Sequence, residues 1–100
     1  MSFGNRIKEL RESKELLQRQ LAASLEIDTP MFSKIERGER RAKREQVIKL
    51  ARLLQTDENE LLTVWLADQI YEIVKDEEIA EGALRVAEST LKYSKLEKHV

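Results

Sequence analysis

The chain has 100 residues, 41% of them hydrophobic and 37% charged, with a net charge of −1. That length holds one domain, or one small domain with an appendage, and excludes two independent cores, while the balance of apolar and charged residues excludes a disordered chain. Three glycines and one proline reserve few positions for tight turns, and the abundant Glu, Lys, Leu and Arg are good helix formers, so the expected class is all-α. The absence of cysteine excludes disulfides and thiolate metal ligands and fits a reducing compartment, which makes the cytoplasm the expected location. The first ten residues lack the apolar core of a signal peptide, and no run approaches the roughly 18 apolar residues that cross a bilayer.

Phe3, Ile7 and Leu10 recur at i, i+4, i+7 and predict a first helix over about residues 3–14, with Leu16 or Leu17 turning the corner. A short second helix over about 18–25 buries Leu21 and Leu25, and Ala22 beside them is where another helix could come close. Asp28 and Thr29 are both good N-cap residues. Pro30 suits a first helical turn, and the residue before a proline is pushed from the α region, which favours Thr29 as cap and leaves Asp28 open. The third helix buries Phe32 and Ile35 and runs to about Arg37, where Gly38 can take the left-handed position that stops it.

After a basic connection, Glu39 to Lys43, the residues Val47, Leu50, Ala51 and Leu54 mark a fourth helix, and Asp57 with Glu60 three residues on resembles a capping arrangement for a fifth. From Leu61 to Val74 the apolar residues cover more than one stripe, more than one small core absorbs. Asp76 can cap a sixth helix in which Ile79, Ala80, Ala83, Leu84, Ala87 and Leu91 recur at helical spacing, before a polar tail, Lys92 to Val100, expected to fray.

Charge is divided unevenly along the chain. Residues 1–44 carry 11 Lys or Arg against 7 Asp or Glu, whereas residues 45–100 carry 7 against 12, so the halves stand at +4 and −5. Six cations fall between Lys34 and Arg44 against two acids, Glu36 and Glu39, a local patch suited to an anionic partner. Two short helices with a small residue in the first and an N-cap opening the second form a helix-turn-helix, whose second helix enters the major groove. The runs Gln18-Arg19-Gln20-Leu21-Ala22 and Phe32-Ser33-Lys34-Ile35-Glu36-Arg37-Gly38 resemble the lambdoid phage repressor and Cro family, also called the XRE family, over about residues 3–66.

The resemblance implies a five-helix repressor-like helix-turn-helix domain at 1–66. Beyond it, the surplus apolar surface of a lengthened fifth helix and a sixth C-terminal helix points to a dimerisation extension at 67–92, the alternative being that the sixth helix folds back on the fifth to complete a monomeric core, with a tail at 93–100. It implies base contacts from Thr29, Pro30, Met31, Ser33 and Lys34, of which Lys34 is the sharpest, since it can donate to guanine O6 and N7. Gln18 is implied as a phosphate contact, joined by Arg11, Arg19, Arg37, Arg40, Arg41 and Lys43, which set register rather than sequence. Two positions depart from the family pattern. Leu17 stands where Ser or Thr commonly caps the second helix, and Glu26 stands where many members have a turn glycine.

No enzymatic constellation is expected. His99 is the sole histidine and lies one residue from the end, and Gly4, Gly38 and Gly82 are isolated rather than grouped in a phosphate loop. Glu77 and Glu78 sit where a helix start favours acids rather than as a catalytic pair. Neither metal nor cofactor is anticipated. The expected partners are double-stranded DNA and a second copy of the chain, through an interface of Trp65, Leu66, Ile70, Ile73 and Val74. The alternatives are an antitoxin whose C-terminal helices bind a toxin, with its N-terminal half repressing their operon, and a controller protein of a restriction-modification system.

Overall fold

The computed structural model describes residues 2–98. Six helices make up the ordered elements among them: α1 (Phe3–Ser13), α2 (Gln18–Ser24), α3 (Thr29–Glu36), α4 (Arg44–Leu53), α5 (Glu58–Val74) and α6 (Ala80–Lys98). The chain is therefore all-α. It divides into two compact units, one ending at Gln69 and the other beginning at Ile70. Among the described residues no helix is long and apolar enough to cross a membrane.

In the first unit the periodic apolar residues meet in one core: Phe3 and Ile7 from α1, Leu21 and Ala22 from α2, Phe32 and Ile35 from α3, Val47, Leu50 and Ala51 from α4, and Leu61 from α5. Leu25, Ala42 and Leu54, from the connections, complete it. Leu10, Leu16, Leu62, Val64 and Trp65 pack around its edge. A side chain such as Phe32, with no exposed surface, contributes roughly 3 kcal/mol through its removal from water.

The helix starts use local polar groups. Ser2 caps α1 by accepting the Asn5 N–H at 3.1 Å, and the Asp57 carboxylate accepts the Glu60 N–H at 2.8 Å at the start of α5. Asp28 rather than Thr29 caps α3, with its carboxylate accepting the Met31 N–H at 2.7 Å. Thr29 becomes the first helical residue and Pro30 the second, a position whose N–H also has no intrahelical partner. The carboxylate bond outweighs the disfavour that proline imposes on Thr29. Leu17 offers α2 no side-chain cap, as its apolar chain implies, but the Gln20 side chain reaches back to accept the Leu17 N–H at 2.7 Å.

The first four helices all stop in the same way. In each, the residue two beyond the C-cap donates its N–H to a carbonyl in the last turn: Leu16 to Arg11, Ile27 to Ala22, Glu39 to Lys34 and Thr56 to Ala51. This closure requires a left-handed residue just after the cap. Gly38 supplies it after α3 with φ of 77°, but Glu15, Glu26 and Gln55 supply it after α1, α2 and α4 with φ of 56°, 59° and 53°. A side chain in that conformation costs roughly 1 kcal/mol relative to glycine. The triple variant E15G/E26G/Q55G is accordingly expected to gain about 2 to 3 kcal/mol and to unfold at a higher denaturant midpoint. A gain below about 0.5 kcal/mol in urea titration would show that the three turns carry no such strain.

In the second unit α6 begins at Ala80, three residues later than an Asp76 cap would place it, because residues 75–79 form turns in which Glu77 donates to Val74 and Ala80 donates to Glu77. Glu77 and Glu78 thus precede the helix, and Glu81 is the acid of its first turn. The helix continues through the segment expected to fray, as far as Lys98, aided by ion pairs at i, i+4 spacing between Glu81 and Arg85 and between Glu88 and Lys92. His99 and Val100 lie outside the described residues.

Candidate nucleic-acid interface

The turn between α2 and α3 has four residues, Leu25 to Asp28. Leu21, Ala22 and Leu25 on one side and Phe32 and Ile35 on the other are buried together, which leaves the opposite face of α3 toward solvent. Thr29, Pro30 and Lys34 are exposed there, and Met31 and Ser33 are half-buried. The Ser33 hydroxyl accepts an N–H from Arg37 at 2.8 Å, so its own proton remains available to a base. Lys34 has no ion pair among the described residues.

The cations expected to touch phosphate fall into two groups. Arg19, Arg40, Arg41 and Lys43 are exposed and without an ion pair among the described residues. Arg37 is exposed but pairs with Glu39, an exchangeable surface contact worth little. Arg11 is different. Its guanidinium grips both carboxylate oxygens of Glu36, at 2.7 and 3.2 Å, and also donates to the Leu16 carbonyl at 2.9 Å. With its side chain 11% exposed, it is committed to the domain's interior edge rather than to an outer ligand. The hydrogen bond to Glu36, reinforced by that carboxylate's charge, holds the guanidinium pKa above its usual value.

Gln18 is drawn into the same group, with its Nε2 donating to Glu36 Oε1 at 2.9 Å. Glu36 therefore ties the end of α3 to the last turn of α1 and the start of α2. It is 5% exposed, the one buried charged residue among those described, and its two oxygens accept three donors. Pairing of this kind makes a buried carboxylate tolerable. The sequence alone marks Glu36 only as a counter-charge in a basic run. The signal that could have singled it out is an acid in the inward half of α3, directly after buried Ile35. Gly4 is the other residue whose part was not foreseen. An added Cβ there would fall on the Glu36 carbonyl, 2.8 Å from its carbon and 2.9 Å from the Ile35 oxygen, so glycine lets α1 rest directly against the end of α3.

The interface residues expected on α5 also separate. Leu66, Ile70 and Ile73 are exposed and Val74 is half-buried. Trp65 is half-buried against its own core, with its indole N–H donating to the Ala42 carbonyl at 2.8 Å.

Two helices joined by a four-residue turn, the second with Thr29, Pro30 and Lys34 open to solvent and with exposed cations in the same unit, make a surface able to enter a groove and grip its walls. This is the architecture of a helix-turn-helix DNA-binding domain. A family model described as a helix-turn-helix domain matches residues 2–63, and the chain belongs to that family. Searches of curated proteins and of solved structures returned no match. Among the described residues no group of His, Cys, Asp or Glu is arranged to hold a metal ion.

Proposed function

We infer that this protein is a sequence-specific regulator of transcription that binds double-stranded DNA as a homodimer and represses from an inverted-repeat operator. The observation that carries the reading is the α3 face, where Thr29, Pro30 and Lys34 stand open to solvent with Arg19, Arg40, Arg41 and Lys43 as exposed cations of the same unit. Lys34 donates to guanine edges; Pro30, without an N–H, offers shape and an apolar surface to a thymine methyl. The flanking cations neutralise phosphates and fix register.

One recognition helix spans only a few base pairs, whereas a two-fold pair reads half-sites about 10 base pairs apart. Leu66, Ile70 and Ile73 on α5 are exposed, and covering such surface by a second copy is the favourable outcome in water. A second reading is favoured by α6 itself, where Val86, Leu91, Tyr93 and Leu96 are all more than half exposed. In that reading a different protein covers them, as in an antitoxin, and the isolated chain aggregates instead of forming a soluble dimer.

The division between base and phosphate contacts is testable with two variants. Lys34→Ala should relax preference at one base position and weaken binding there by about 1 to 3 kcal/mol. Arg41→Ala should weaken all duplexes alike and flatten the dependence of log affinity on log salt by about one. Salt titrations of both variants on matched and mismatched duplexes measure this, and indistinguishable behaviour would refute the assignment.

A further inference from the structure

The connection between α3 and α4 carries Arg40, Arg41 and Lys43 with no ion pair among the described residues. Such a segment, rich in like charge, gains nothing from ordering itself and would lose conformational freedom on gripping a phosphate. Here it is ordered beforehand, and one side chain is the common element. The Trp65 indole N–H donates to the carbonyl of Ala42 at 2.8 Å. The face of the same ring carries the Arg44 guanidinium 5.1 Å from its centre, within the range of a cation–π attraction. Ala42 is 2% exposed, so the backbone on one side of Lys43 is anchored inward, and Arg44, on the other side, is held on the ring. Lys43 stands between the two tethers, with its own N–H donated to Gln46 Oε1 at 2.8 Å, and Arg41 immediately precedes the first.

We propose that Trp65 is a positioning residue for DNA binding, which pre-orders the connection so that Arg41 and Lys43 meet phosphates without paying the entropy of ordering. This rests on the reading of those two residues as phosphate contacts. A tryptophan that merely filled the core would need neither its N–H nor its ring face to be engaged by the basic segment. Phenylalanine keeps an aromatic ring over the core and under Arg44, but it removes the N–H that holds Ala42. Loss of the tether therefore appears as a loss of grip rather than of fold.

The test measures binding of wild type, W65F, R41A/K43A and the triple variant to a random-sequence duplex over a salt series. W65F is expected to bind about five-fold more weakly than wild type at 0.1 M salt, with a salt slope shallower by up to about one phosphate contact. In the R41A/K43A background the same substitution should change nothing, because its effect passes through those cations. Unchanged affinity of W65F, or an equal loss in both backgrounds, would overturn the proposal while leaving the DNA-binding reading intact; absence of salt-dependent binding by wild type would overturn both. Trp65 is the chain's one tryptophan, so its fluorescence in the unaltered protein gives a measurement that needs no folded variant. Its emission should already be set in the free protein and change little as duplex saturates it, whereas a large shift on binding would show that the connection orders only then and would overturn the proposal.

Discussion

Replacing Glu36 by alanine is expected to lower stability by about 3 kcal/mol, the lower end of the range for breaking a buried ion pair. The carboxylate has its side chain 3% exposed and accepts two bonds from Arg11 and one from Gln18. Its removal leaves a guanidinium with 11% of its side-chain surface in water and only the Leu16 carbonyl as partner. For a domain of this size the loss corresponds to a fall in Tm of more than about 10 °C. Glu36→Gln, which keeps the shape and one acceptor oxygen but not the charge, should fall between wild type and alanine. Thermal and urea unfolding of the two variants measure the order, and a loss below about 1 kcal/mol for alanine would mean that Arg11 finds solvent without cost. Gln18 loses its acceptor in the alanine variant, so that variant should also weaken duplex binding more than the loss of fold explains.

Gly4→Ala is expected to destabilise by about 2 kcal/mol or more, although alanine is the better helix former by roughly 1 kcal/mol. The new methyl group would be pressed onto backbone at Ile35 and Glu36, atoms that cannot rotate away. Relief requires α1 to lift from α3, and overpacking of this kind typically costs 1 to 3 kcal/mol. Lifting α1 also stretches the Arg11 to Glu36 contact, so Gly4→Ala and Glu36→Ala should be less than additive when combined. Gly82, where an added Cβ meets nothing, is the control: alanine there should be neutral or stabilising in the same urea titration. Equal behaviour at positions 4 and 82 would contradict the close approach of α1 to α3.

Much of this architecture is legible in the amino-acid sequence. Helix periodicity marks α1 to α3 within a residue or two, and the apolar residues of α4, because each has a single inward stripe that includes Ile7, Leu21, Ile35 or Leu50. The left-handed Glu26, suggested by a departure from a glycine pattern, has φ of 59°. Glu15 and Gln55 carried no comparable signal, since nothing in their neighbourhood contrasts them with a glycine. The proline rule favours Thr29 as the cap of α3, and Asp28 takes that place instead because its carboxylate reaches the Met31 N–H. The start of α6 was misplaced because an acid before an apolar run resembles a cap whether or not the chain turns first.

The site was legible in its outer parts and illegible in its supports. Thr29, Pro30, Lys34, Arg40, Arg41 and Lys43 are exposed, as solvent-facing positions of a polar run should be. Arg11 and Gln18 lie 25 and 18 positions from Glu36 in the chain, and no local pattern announces a contact at that separation. The same limit applies to Trp65, 23 positions from the carbonyl it binds. An aromatic residue in an apolar-rich helix suggests burial or an interface equally, and its N–H partner is set by the tertiary fold alone.

The central claim is that the α3 face reads sequence and that two copies read it together. Selection from a random duplex pool with the purified chain at near-physiological salt, followed by sequencing of what is retained, tests both parts at once. The retained duplexes are expected to share an inverted repeat with half-sites about one helical turn apart. A retained pool with no shared sequence, under salt-sensitive binding, would contradict sequence-specific recognition by the homodimer.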